Sequence, residues 1–120
     1  MNTPESRVQL KRVYDDFEST DGYRVLIDRL WPRGISKQKA KINLWLKDIA
    51  PSNELRKWFS HDPQKWEEFT NRYEEELKEK EDIVNSLKEI IAKEKIVTLL
   101  FSASDEKHNN AVALKKILKL

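Results

Sequence analysis

The sequence contains no cysteine. Disulfides, thiolate-ligated zinc, iron–sulfur clusters and thiol catalysis are therefore excluded. Glycine is nearly absent as well. The 120 residues hold two, Gly22 and Gly34, too few for a glycine-rich phosphate loop or a dinucleotide-binding fingerprint. No apolar stretch approaches the ~20 residues that a spanning helix needs, and the opening MNTPESRVQLKR lacks the apolar core of a secretory leader. These absences point to a cytoplasmic protein with no membrane partner. Charge of one sign is not in excess: 23 Lys and Arg face 21 Asp and Glu, a formal charge of +2. That total neither shows nor excludes a basic face for nucleic acid.

What is present is patterned apolar residues in a highly charged chain. Residues 1–7 read as a flexible lead and residues 8–120 as a single domain. VQLKRVYD (Val8 to Asp15) alternates and predicts a first strand. YRVLIDRLW (Tyr23 to Trp31) is continuously apolar, the pattern of a strand covered on both faces. Trp31-Pro32-Arg33-Gly34 must be loop, after which Ser36 caps a short helix. NLWLKDIAP (Asn43 to Pro51) predicts a third strand, and Ser52 caps the helix SNELRKWFS.

Asp62-Pro63 opens a second helix over PQKWEEFTNRYEEELKEK, striped by Trp66, Phe69, Tyr73 and Leu77. EDIVNSLKEIIAKE repeats the helical spacing. KIVTLLFSA (Lys95 to Ala103) is a second doubly buried strand, SDEKHNN is a polar loop, and AVALKKILKL closes the chain as an amphipathic helix. Buried strands separated by helices specify the α/β class: a small, mainly parallel sheet covered by helices.

Open α/β sheets bind ligands beyond the carboxyl ends of their strands. Three polar segments leave such ends here: Asp28 to Gly34, Lys47 to Ser52, and Ser102 to Asn109. A fourth, Phe59 to Pro63, is a helix junction able to lie over the same edge. Arg29 and Arg33 flank a rigid Trp-Pro corner and can converge on a phosphate or carboxylate. The bland alternative is that Arg29 pairs internally with Asp28 or Asp48, and that Trp31 fills the core. Ser102, Asp105, His108 and Asn109 bring small and polar groups to the last strand end, although Asp105 is equally placed to cap the closing helix. His108 and His61 are the candidate acid–base groups, with Asp48 as partner. A Ser102–His108–Asp48 triad can be drawn only without a nucleophile elbow. His61-Asp62 lacks a metal-ligand spacing, so no metal or cofactor is implied. Trp58, Phe59, Trp66, Phe69 and Tyr73 could stack on bases, but their helical spacing makes them core.

DGYRVLIDRLWPRG, LWLKDIAPSNELRKWFSHDPQKWEEFTNRY and VTLLFSASDEKHNNAVAL, in this order, resemble the YeaO-like branch of the family called domain of unknown function 488. The resemblance runs from Val8 to Leu118. It implies a bacterial or archaeal α/β domain without an established activity. Its motif falls on Asp28, Arg29, Trp31, Pro32, Arg33, Gly34, Trp45, Asp48, Ser52, Arg56, Trp58, Phe59, His61, Asp62, Trp66, Asp105, His108 and Asn109. Longer relatives carry Cys, and a Cys-His-Arg stretch, where this chain has Phe101 and Asn109-Asn110-Ala111. Many YeaO-like sequences have His at the position of Asn110. These departures spare the arginines, so the resemblance favours binding over catalysis here.

Three readings follow. The first is a domain binding an anionic small molecule, phosphorylated or nucleotide-like. It would use Arg29 and Arg33 with Asp28, Trp31, Gly34, Asp48, Ser52, Ser102, Asp105, His108 and Asn109 around them. The second is an enzyme for hydrolysis or group transfer, with His61 or His108 beside a carboxylate. The third is a nucleic-acid or protein interaction module using Lys37, Lys39, Lys41 and Lys47. No oligomeric state is implied.

Overall fold

Val25 and Leu26 are successive residues, both fully buried, and they enter different clusters. Their side chains leave opposite faces of one sheet, so both faces are covered. In the computed structural model, which describes residues 7–120, that sheet has four parallel strands. They are β1 (Arg7–Arg12), β2 (Tyr23–Leu26), β3 (Leu44–Trp45) and β4 (Ile96–Phe101), ordered β1-β4-β2-β3. The lead expected at residues 1–7 lies outside the described residues except for Arg7, which opens β1.

Among the described residues five α-helices surround the sheet: α1 (Lys37–Ala40), α2 (Asn53–Phe59), α3 (Trp66–Lys78), α4 (Glu81–Glu94) and α5 (Asn110–Leu118). The larger core lies on the face of Val25, Ile27, Val97, Leu99 and Phe101, against apolar residues of α2 to α5. Phe59 stacks on Phe69 at 4.2 Å, so the aromatic stripe is core, as its spacing implied. The opposite face is smaller, holding Leu26, Leu100, Val13 and Ala40 with Trp31 and Trp45 against them.

All four strands are shorter than their sequence patterns suggest: β1 stops at Arg12 rather than Asp15 and β4 at Phe101 rather than Ala103, and the other two depart further. The strand read from Tyr23 to Trp31 ends at Leu26, although Ile27 still donates to the Leu100 carbonyl at 3.2 Å. Ile27 and Asp28 are buried in the connection that crosses the strand ends, and burial alone mimics a strand. The third strand keeps only Leu44–Trp45, and Lys47–Ile49 forms a 3-10 turn. Pro63–Lys65 is likewise a 3-10 turn ahead of α3, with Asp62 accepting from the Gln64 N–H. Among the described residues no helix is long and apolar enough to cross a membrane.

Gly22 fixes the entry to β2. Its φ of +65° with ψ of −136° suits glycine alone, and a Cβ there would sit 2.3 Å from the Ile96 carbonyl oxygen. Gly22→Ala should therefore lose about 2–5 kcal/mol, combining backbone strain with overpacking. Urea unfolding measures this, and a loss under ~1 kcal/mol would contradict the close approach.

Candidate functional site

β2 and β4 are adjacent and parallel, so their carboxyl ends open on the same rim. A cavity of about 380 Å³ lies there. Residues 28–33 after β2 and Ser102, Ala103, His108, Asn109 and Asn110 after β4 line it, with Ala50, Pro51, Arg56, Phe59, His61, Phe69 and Tyr14. Its volume suits a small ligand.

Asp28 leaves β2 buried, at 9% exposure. Its Oδ2 accepts from the Ser102 N–H and the Ser102 hydroxyl, both at 2.8 Å, and its Oδ1 accepts from Asn110 Nδ2 at 3.3 Å. The loop is pinned from behind by Trp45 Nε1, which donates to the Asp28 carbonyl at 2.7 Å. Desolvation raises the Asp28 carboxyl above the usual carboxylate range. The Ser102 and Asn110 donors and the His61 charge oppose that rise without cancelling it.

The arginines divide by task. Arg29 does not pair with Asp28 or Asp48. It donates from Nε to the Pro51 carbonyl at 3.2 Å and from Nη2 to the Ala50 carbonyl at 3.1 Å. Lys80 Nζ reaches the same Ala50 carbonyl at 2.9 Å; desolvation, with Arg29 nearby, lowers its pKa. Arg12 braces the other wall, donating to the Ala103 and Ser102 carbonyls at 2.9 and 3.0 Å. Both cations thus shape the cavity by satisfying loop carbonyls that lie outside any ladder.

Arg33 and Arg56 are exposed. Among the described residues the Arg33 side chain has no hydrogen-bond partner, its carbonyl accepting from Tyr14 at 2.8 Å. Arg56 has only a long contact to Asn53 at 3.5 Å. Arg56 was not among the candidate ligand residues chosen from the sequence. A helical signal existed, since it lies three residues before Phe59, on the same side of α2, and both line the cavity. Arg12, Tyr14 and Asn110 were also missed; nothing in their local pattern marks them.

His108 lines the cavity, and its Nδ1 lies 3.0 Å from Asp105 Oδ2. Asp105 also accepts from the Lys107 and His108 N–H groups at 2.8 and 3.0 Å. The Lys107 and His108 donors hold the Asp105 carboxyl below its usual range. Asp105 does not cap α5. Asn109 does, accepting from Val112 N–H at 3.0 Å, because Ala111, Ala113 and Leu114 must face the core from that start. His61 is exposed at the rim, 6.4 Å from the Phe59 ring.

Four expected residues lie outside the cavity lining: Gly34, Asp48, Ser52 and Asp105. Gly34 serves backbone shape at φ +77°. Asp48 is exposed on the 3-10 turn Lys47–Ile49. The Ser52 hydroxyl accepts from Leu55 N–H at 3.1 Å and donates to Glu76 at 2.6 Å. Ser102, His108 and Asp48 therefore form no triad: the Ser102 hydroxyl donates to Asp28, and His108 pairs with Asp105. Trp31 lines the cavity while packing edge-on to Trp45 at 5.5 Å, with Nε1 donating to the Ile35 carbonyl. Lys37, Lys39, Lys41 and Lys47 are exposed, with Lys41 and Lys47 lying over the Phe17 and Trp45 rings. Among the described residues no cluster of His, Asp or Glu is placed to hold a metal ion.

A family model described as the inactive DUF488-N3 subclade matches residues 7–120. The uncharacterized protein YeaO of Escherichia coli K12 is 44% identical over 112 residues, 93% of this chain and 96% of that protein. The uncharacterized protein Rv3073c of Mycobacterium tuberculosis is 52% identical over 73 residues, covering 61% of this chain. The match spans 62% of that relative's length. No solved structure matches the chain.

Proposed function

The chain belongs to the DUF488 family, in the subclade described as inactive, and from that premise we propose that it binds an anionic small molecule without transforming it. The ligand would be phosphorylated or nucleotide-like and would occupy the cavity beyond β2 and β4. One observation carries this reading: among the described residues three arginines, Arg29, Arg33 and Arg56, line a cavity whose lining includes a single acidic residue, Asp28. Asn109, the cap of α5, and Asn110, its first residue, line it too, so a helix N-terminus adds partial positive charge.

The catalytic alternative rests on the His108–Asp105 pair. It gives His108 no serine partner, because the Ser102 hydroxyl donates to Asp28, so that reading would need the His108–Asp105 pair to activate water. A thermal-shift panel of phosphate compounds tests the binding reading. At about 100 times its dissociation constant, a true ligand stabilises by ~2.7 kcal/mol, an upward shift of about 10 °C for a domain of this size. No shift with any anion would end it. Release of inorganic phosphate during incubation would restore the enzyme reading instead.

A further inference from the structure

We propose that Asp28 makes the cavity selective for an amino phosphate, a phosphomonoester that also carries an ammonium group. This deepens the anion-binding reading and rests on it. Asp28 is a buried residue, 9% exposed, yet it lines the cavity. Its two oxygens are unequally occupied. Oδ2 takes two bonds of 2.8 Å, whereas Oδ1 takes only the 3.3 Å contact from Asn110. A carboxylate offers about four lone-pair sites, so Oδ1 keeps capacity for a donor inside the cavity.

No arginine of the lining fills that capacity. Among the described residues Asp28 forms no ion pair, although Arg29, Arg33 and Arg56 share its cavity. Arg29 turns to the Ala50 and Pro51 carbonyls instead. Beside His61 and His108, which line the cavity without bonding to Asp28, the remaining charges divide into two groups: Arg33 and Arg56 together match a phosphate dianion, and Asp28, on which His61 acts only at a distance, matches one cation. A ligand with a phosphate alone leaves the buried Asp28 carboxylate without a directly bonded cation, which is costly at that burial. A ligand with a phosphate and an ammonium group satisfies both groups at once. Specificity then comes from the buried acid and affinity from the exposed guanidinium groups.

Two matched pairs of probes differ in the ammonium group: O-phosphoethanolamine against ethyl phosphate, and glucosamine 6-phosphate against glucose 6-phosphate. Titration calorimetry on the full chain should show the aminated member binding at least about tenfold more tightly in one pair or both. In Asp28→Asn, which retains an oxygen to accept from Ser102, the preference should fall to within about twofold while phosphate binding remains. Should that variant not fold, the wild-type pairs decide alone. Equal binding of both members in both pairs overturns the amino-phosphate proposal and leaves the anion reading standing. Binding of none of the four probes overturns both.

Discussion

Replacing Arg33 and Arg56 together by alanine should weaken binding of a phosphate compound by about 100-fold or more, while the unfolding midpoint scarcely moves. Each hydrogen-bonded ion contact is worth roughly 1.5–3 kcal/mol, so two removed together exceed the ~2.7 kcal/mol of a hundredfold change. The stability side follows from exposure. Arg33 has no side-chain partner among the described residues, and Arg56 has one long contact. Surface changes of that kind stay within about 0.5 kcal/mol. Titration calorimetry at fixed ionic strength, beside thermal unfolding, reads both quantities; salt must be held because exposed charges are screened. Arg29→Ala should behave differently, since it abandons the Ala50 and Pro51 carbonyls and so disturbs the wall itself. Unchanged affinity in the double variant would remove the guanidinium pair from the site.

Arg24→Ala should cost the fold about 3–5 kcal/mol, the usual penalty for leaving half of a buried ion pair. Arg24 is 1% exposed. One terminal nitrogen meets the Asp21 carboxylate, the other donates to the Ala40 carbonyl at 2.8 Å, and Nε donates to the Lys41 carbonyl at 3.0 Å. One side chain thereby joins the start of β2 to the end of α1. Asp21 would retain Lys11 Nζ at 3.1 Å and the Glu18 N–H at 3.0 Å, so its charge is not wholly abandoned. Desolvation pushes the Asp21 carboxyl upward. The Glu18 N–H, Lys11 and Arg24 outweigh it and hold the pKa below the usual value.

A carboxyl depressed in this way stabilises the fold above its unfolded pKa, and the contribution is lost as pH falls through the folded value. Removing Arg24 should therefore also shallow the acid side of the stability profile. Urea unfolding at neutral pH and in acid tests the pair of effects. A loss below ~1 kcal/mol would show that water replaces the guanidinium without penalty.

The bland and functional readings of single residues separated along burial. Trp66, Phe69 and Tyr73 sit at helical spacing, and two of the three are buried, so periodicity read them correctly. Periodicity failed where burial and pairing diverge. Ile27 and Asp28 are as buried as strand residues but cross the strand ends, and the apolar run concealed the break. The edge position of β3 leaves it two residues of pairing, which the alternation of Leu44 and Leu46 could not reveal. Asp105 and Asn109 both suit a helix cap by type. The choice between them depended on which start turns Ala111 and Leu114 inward.

The sequence by itself determined the class of the fold, the loops that meet beyond the strands, and the family. Continuous apolar runs, capping residues and the DRLWPRG and FSHDP strings are local signals that survive without coordinates. Only the tertiary structure decided which cations are available. Arg12, Arg29, Arg33 and Arg56 are chemically alike in one dimension. In three, Arg12 and Arg29 close loop carbonyls, while Arg33 and Arg56 border the cavity with their guanidinium donors almost unpaired among the described residues. Hydrogen-bond partners are assigned by proximity between distant segments, here as far apart as Arg12 and Ala103, and no local pattern carries that information.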